Sequence, residues 1–442
     1  MSLTRVAVDT SKLREGMYVA KLDRPWVETP FVFQGFQIND RNEIEQLQSC
    51  CSYVYVDIDR GKLSEAEIGS LLGKEPEMSL PLTRKAGHEA PAKGLLSRIR
   101  ARVWRRNSSD DAKSSAAGES NPYPITSTVR REAPAAKDAY DHALSRHRAI
   151  LERARRVGEV SFDKASRAVK PLIESILRNP DAMAWTVFSK KRSARNYSRA
   201  VATSVWSVMY GRYLGFGRTE LQELAIGGLL LDIGNVGVPD EIVNAEGSIT
   251  ITEFNSLSRH VRFGLQILKS SSRFSDNIFA MVQCHHERAD GSGYPGKKAG
   301  SHIPVFGRIA GIADCYDAMT TKTAYSPARA AYDSARELND MRGKEFQSEV
   351  VGQFLRMIGM FPTGSVVEFS DGVVGVVLEQ NRANPLRPKV MLLRGSDGEP
   401  FDQPQILDMQ KLPDGNSGNR VVSIEKGHEH GAFGIDPFNY FA

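Results

Sequence analysis

The stretch His285-His286-Glu287-Arg288-Ala289-Asp290-Gly291-Ser292-Gly293-Tyr294-Pro295 decides the reading of this chain. Two adjacent imidazoles followed by a glycine-rich turn make a poor core, since histidine is not among the readily buried residues and glycine has no side chain to pack. The same pair is well suited to aim ring nitrogens at a metal ion beside a loop that closes over a ligand. At about 5% per residue type, the fixed letters of HHExxDGxGYP arise by chance roughly once in 10^10 starting positions. The string is a functional signature.

Outward from it, the pattern is helical on both sides, from about residue 136 to about 360. Asp181 after Asn179-Pro180 reads as a helix start, and Thr250 with Glu253 forms a capping box before Phe254, Leu257 and Val261. Strand-type runs are nearly absent, so this is an all-α domain long enough for a full core. After Phe361 the period changes. Val366-Val367, then Val373-Val374 and Val376-Val377, flank an Asp371-Gly372 hairpin signal, and Pro388 to Leu393 adds a strand before the turn at Gly395 to Gly398. A β-rich appendage is expected over 361–442, with its strands before about 425.

Residues 1–73 read as a small mixed domain. A helix-like segment at Arg41 to Ser49 precedes a strand-type run at Val54 to Asp57, and Trp26, Phe31, Phe33 and Phe36 read as core. Between them, residues 74–135 turn rich in Ser, Ala, Pro, Gly and charge, the composition of a disordered basic linker. Within it Leu95, Ile99 and Val103 recur every four residues among Arg98, Arg102, Arg105 and Arg106. A basic amphipathic helix touching anionic lipid or a partner is one reading of that spacing; a solvated linker is the simpler one.

The bulk numbers exclude several classes. The net charge of +5 is exceeded by the Lys/Arg surplus of Arg84 to Arg106 alone, so no folded domain is left with a basic face built for DNA. No apolar run is long enough to span a membrane, and the start lacks a charged leader before an apolar stretch. Cys50, Cys51, Cys284 and Cys315 show neither CxxC spacing nor a disulfide framework, which suits a reducing, cytoplasmic location. Cys284 and Cys315 neighbour candidate pocket residues, and simple burial explains them better than thiolate chemistry.

From Tyr197 to Tyr325 the sequence resembles the HD-GYP family, a branch of the HD superfamily of metal-dependent phosphohydrolases. The resemblance is carried by the histidine string, by Ile303-Pro304, Arg308-Ile309 and Ile312-Ala313-Asp314 downstream, and by Arg259-His260 upstream. The first seventy residues resemble a domain of unknown function that often precedes such modules. The resemblance implies a helical bundle, a centre of two or three metal ions (usually iron or manganese), and hydrolysis of cyclic di-GMP.

Several positions depart from the family's pattern. Its first histidine falls on Tyr197 before Ser198, and its HDxGK motif reads Leu231-Asp232-Ile233-Gly234-Asn235. A third-metal glutamate falls on Ser193. The arginine of its RPY run falls on Thr323, although Tyr325 remains. The resemblance assigns one ligand set to Asp232, His260, His285 and His286, which survives whole. The other set keeps Asp314 and the shared Asp232. Leucine ligates nothing, and a phenol with a pKa near ~10 is a reluctant ligand at neutral pH. Asn235 and Thr323 remove two cations that would meet substrate phosphates, and losing one preorganised group costs roughly 10²–10³ in rate.

Two readings follow. The first is a regulatory or interaction module with weak or no phosphodiesterase activity. It would hold one divalent ion or none, iron or manganese, and contact a diguanylate cyclase or other signalling protein through the loop of Asp290, Gly291, Gly293, Tyr294 and Pro295. The second is a phosphodiesterase cleaving cyclic di-GMP or a related phosphate ester, with a mononuclear or rearranged centre in which Tyr197 is a ligand and Asn235 stands for the lysine. Asp314 taken alone is equally a buried acid satisfied by hydrogen bonds.

Overall fold

The computed structural model describes residues 5–24, 29, 35–58, 122–191, 198–243, 250–271, 273–321, 329–382, 384–412, 423–428 and 431–435. Trp26, Phe31, Phe33, Ser193, Tyr197, Thr323, Tyr325 and the basic segment around Ile99 lie outside them. The chain divides into two compact units, the first in residues 1–94 and the second mainly in 95–412 with 422–442.

In the first unit β1 (Arg5–Asp9), β2 (Tyr18–Leu22), β3 (Phe36–Gln37) and β4 (Tyr53–Asp57) form an antiparallel sheet in the order β1-β4-β2-β3. One helix, α1 (Arg41–Cys50), packs Leu47 into a core with Val19, Leu22, Phe36, Val54 and Val56. Its start is chemically specified. Asp40 accepts from the Glu43 N–H at 2.9 Å, and the Glu43 carboxylate accepts from the Asn39 N–H at 2.7 Å. The expected helix and strand are both present.

The second unit opens with α2 (Val129–Val157), capped by the Thr128 side chain. This helix starts inside the segment that composition assigns to the linker, because Ala136, Tyr140, Ala143, His147, Ile150 and Ala154 make a buried stripe at helical spacing and its first turn is anchored. Glu132 accepts from Ser175 at 2.8 Å and from two nitrogens of Arg178 at 2.9 and 2.7 Å. Those partners sit on α3 (Phe162–Arg178).

Then follow α4 (Pro180–Lys191) and α5 (Arg199–Tyr213), the latter buried over nearly its whole length. After α6 (Arg218–Leu229) a 3-10 turn covers Ile233–Gly237, and a short α7 (Asp240–Val243) precedes α8 (Ile251–Ser258). The bundle continues with α9 (His260–Ser270), α10 (Asp276–Cys284), α11 (Val305–Met319), α12 (Ala331–Asp340) and α13 (Ser348–Ile358).

Two local expectations are refined. Asn179, not Asp181, supplies the cap of α4, its side-chain oxygen accepting from the N–H groups of Asp181 at 2.9 Å and Ala182 at 3.3 Å. The Thr250–Glu253 capping box is present, but the helix it starts ends at Ser258 and a second begins at His260. The Leu257 and Val261 stripe therefore crosses a break.

The C-terminal strands β5 (Val366–Phe369), β6 (Val374–Glu379), β7 (Lys389–Arg394), β8 (Pro400–Asp408) and β9 (Ile424–His428) form an antiparallel sheet ordered β8-β7-β6-β5-β9. It is tied to α4 through Asp181 and Trp185. Asp181 accepts from Arg382 at 2.9 Å, and the Trp185 indole donates to the Leu378 carbonyl at 3.2 Å. The fold is mainly α with a β region at each end. No helix among the described residues is long and apolar enough to cross a membrane.

Candidate metal centre

Four side chains from three separate segments converge. Asp232 leads into the 3-10 turn after α6, His260 opens α9, and His285 and His286 follow the last residue of α10. One donor atom of each lies within 4.8 Å of the others. Nε2 of His260 is 3.3 Å from Nε2 of His285, and Oδ1 of Asp232 is 3.4 Å from the first and 3.8 Å from the second.

The ring orientations are set from behind. Nδ1 of His260 lies 2.8 Å from the Leu257 carbonyl, and Nδ1 of His285 lies 3.0 Å from that of Val282. A carbonyl only accepts, so each Nδ1 carries a proton and each Nε2 is turned toward the cluster. That is how a ligating imidazole is commonly held. Burial pushes the His285 pKa down to about 4 and the His286 pKa well below its ordinary value, so both rings are neutral near pH 7. Burial alone would raise the Asp232 carboxyl, but its electrostatic interactions with the facing His260 and His285 rings and with Arg199 outweigh it and hold the group below its usual value. Three imidazoles and one carboxylate are donors that fit a divalent first-row ion, and the cluster can hold one.

Glycines allow the segments to meet. A Cβ on Gly234 would stand 1.8 Å from the His260 carbonyl oxygen and 2.4 Å from the Gly264 nitrogen. Only glycine lets the Asp232 turn lie against α9. At Gly293 a Cβ would stand 2.3 Å from the His286 oxygen, so the loop folds directly onto the histidine backbone. The loop is then stapled by Glu287, buried at 3% exposure, whose carboxylate accepts from the N–H groups of Gly296 at 2.7 Å and Lys298 at 2.9 Å. Tyr294 stacks on His286 at 4.5 Å between centroids, and Phe254 of α8 meets its ring edge-on at 5.5 Å.

Of the five expected metal ligands, the structure brings four together. Asp314 on α11 is not among the converging donors: its carboxylate accepts from Nη2 of Arg199 at 2.6 Å. The ordinary explanation of a buried acid satisfied by a hydrogen bond describes it as found. Leu231 is 1% exposed, packed as core. Asn235 sits in the 3-10 turn with its side-chain oxygen buried and without a partner among the described residues. Tyr197 lies outside the described residues. In the loop, Asp290 and Pro295 are exposed, Tyr294 is half-buried and Gly293 is buried. Burial pushes the Cys284 thiol up and that of Cys315 up to about 11, so both are inert thiols near neutral pH.

Sequence reasoning missed three residues. Glu287 was read only as a letter of the motif. Arg199 carried no signal beyond a basic residue at a helix start. His147, buried on α2, has its pKa pushed down to about 4 by burial, with Asp232 pulling the other way, which places it within electrostatic reach of the centre. Helical spacing on α2 was its only signal.

Comparison with known proteins gives matches at the level of families and relatives. Residues 182–350 match the HD domain family, 5–167 a domain of unknown function (DUF3391), and 366–414 a KOW domain associated with HD domains. The second match runs well past residue 73. A cyclic di-GMP phosphodiesterase of Pseudomonas aeruginosa is 26% identical over 95% of this chain and 91% of its own length. One of Thermotoga maritima is 34% identical over 33% of this chain and 39% of its own length. A 3'3'-cGAMP-specific phosphodiesterase of Vibrio cholerae is 33% identical over 31% of this chain and 26% of its own length. The chain thus spans less than half of the latter two relatives. A solved HDG"Y"P protein from Bdellovibrio bacteriovorus aligns at a TM-score of 0.41 and 13% identity, covering 79% of this chain and 98% of that one.

Proposed function

Because the chain carries an HD domain of the HD-GYP type, we propose that it works in cyclic di-GMP signalling as a regulatory or protein-interaction module with weak or no phosphodiesterase activity. The observation that supports this reading is the composition of the centre. Donors for one ion converge, while Asp314, the remaining acid of a dinuclear set, is held by Arg199 and Leu231 is packed as core. A two-metal hydrolase clamps the attacking and leaving oxygens from both sides. One ion, iron or manganese, held by Asp232, His260, His285 and His286, would supply Lewis acidity toward a phosphoryl oxygen from one side only. The chain's own contribution is to keep His285 and His286 neutral, to orient His260 and His285 through backbone carbonyls, and to lay Tyr294 over His286.

Partner contact through the loop falls to Tyr294 and Pro295, with Asp290 at its edge, since Gly293 is buried against the His286 backbone. A diguanylate cyclase or another signalling protein is the partner this reading names.

The second reading, a mononuclear phosphodiesterase acting on cyclic di-GMP, is favoured by the completeness of the four-residue cluster and its fixed ring tautomers. Full-length protein loaded with Mn2+ or Fe2+ separates the two. The first expects no more than one ion per chain and turnover of cyclic di-GMP at the metal-free background. Robust turnover that vanishes in both Asp232→Ala and His285→Ala would establish the second.

A further inference from the structure

Cys50 is the last residue of α1 and Cys51 is its C-cap, and neither belongs to the metal centre. Side chains of successive residues on a helix diverge by about 100°. Here the chain leaves the helix at Cys51, with φ −126° and ψ 149°, and the two Sγ atoms lie 3.6 Å apart in contact with each other. The thiols differ in access. Cys50 is half-buried, whereas Cys51 is 5% exposed and belongs to the core of the first unit.

The pair is fixed from several sides. The Cys50 thiol donates to the Gln46 carbonyl at 3.1 Å, and the Cys51 N–H donates to that of Leu47 at 2.8 Å. The Thr10 hydroxyl donates to the Cys51 carbonyl at 3.2 Å. Asp23 accepts from the Ser52 N–H at 2.7 Å and from Nε of Arg24 at 3.1 Å, which ties a guanidinium to the residue that follows Cys51. The hydrogen bond between the thiols lowers the Cys50 pKa and raises that of Cys51; burial opposes the first shift and the charge of Arg24 adds to it. The more accessible sulfur is thus the one favoured as thiolate, the nucleophilic form.

We propose that Cys50 and Cys51 form a reversible redox site, oxidised by peroxide to a disulfide between the two neighbours and restored by thiol reductants. The Cys50 thiolate attacks one peroxide oxygen and breaks the O–O bond, giving a sulfenic acid and hydroxide. The Cys51 thiol then displaces the sulfenic hydroxyl as water, so two thiols and one H2O2 yield one disulfide and two waters. Adjacent Cα atoms are about 3.8 Å apart across a trans peptide, closer than the roughly 4.4–6.8 Å of ordinary disulfides. The bond is therefore strained, and strained disulfides are the readily reduced ones. Closure also removes the proton that Cys50 donates to Gln46, which loosens the end of α1.

The test treats the full-length, metal-free chain with an equimolar amount of hydrogen peroxide, blocks remaining thiols with iodoacetamide in denaturant, and maps peptides by mass. The peptide carrying Cys50 and Cys51 should be lighter by two hydrogens and unalkylated, with both thiols returned by dithiothreitol, while Cys284 and Cys315 stay alkylated. Cys51→Ser should stop at a Cys50 sulfenic acid that dimedone traps. Cys50→Ser should leave Cys51 reduced at the same dose, and this half-buried position decides the matter if Cys51→Ser fails to fold. Amide exchange at Cys51 should be faster in the oxidised chain. Alkylation of both thiols after peroxide, a disulfide joining two chains instead, or oxidation of Cys51 in Cys50→Ser as fast as in wild type would each overturn the proposal.

Discussion

His260 and His285 turn Nε2 toward each other at 3.3 Å while each lays Nδ1 against the carbonyl three residues before it, Leu257 and Val282. With both Nδ1 atoms engaged by carbonyls, the two Nε2 atoms are left facing the cluster, where one ion could take both. We predict that Mn2+ or Fe2+ raises the thermal midpoint of the wild-type chain, by linkage to the folded state. His285→Ala should lower metal affinity on the order of 100-fold or more, since even outer-shell partners of a ligand typically contribute roughly 10–100-fold. Equal metal affinity in the two proteins, measured by competition with a chelating dye, would sink the assignment.

Gly234→Ala tests the packing that carries Asp232. Its Cβ would enter the space of the His260 carbonyl oxygen and the Gly264 nitrogen, both backbone atoms that cannot rotate away. Destabilisation of about 1–3 kcal/mol or more is expected from such overpacking, together with weaker metal binding, because the turn must lift from α9. A variant with wild-type melting and wild-type metal affinity would contradict this account.

Glu287→Gln tests the loop. The carboxylate takes two backbone N–H groups, and hydrogen bonds to a buried charge contribute roughly 1.5–3 kcal/mol each. The amide keeps one acceptor oxygen and sets an NH2 group against the other donor. Faster amide exchange at Gly296 and Lys298 is predicted, with exchange in α3 unaltered. Protection unchanged at both amides would show that Glu287 does not hold the loop.

His147 predicts a pH dependence. Burial is the main cause of its lowered pKa, about 4 against the ordinary 6.5. As pH falls below 6.5 the unfolded chain takes up this proton while the folded chain does not until about 4. Stability is therefore complete above pH 6.5 and is lost between 6.5 and 4, by roughly 3 kcal/mol for this one group. Urea unfolding of metal-free protein at about pH 7 and about pH 4.5 should show a smaller acid loss in His147→Gln than in wild type. Identical losses would count against a neutral buried imidazole there.

What the order of residues determined by itself was local. The period of apolar positions marked the helical stretch and its switch to strands after Phe361, and turn chemistry placed the capping box at Thr250 and the hairpin at Asp371-Gly372, all short-range relations that a linear reading can see. The histidine string marked the site, and the family resemblance it carries assigned Asp232 and His260 to the same ligand set. Packing decided the rest. Whether Asp314 turns to an ion or to Arg199 depends on where α5 meets α11, and the approach of His147 depends on how α2 lies beside the turn after Asp232. Contacts between residues so distant in sequence are set by how helices dock, and no local pattern of side chains records them.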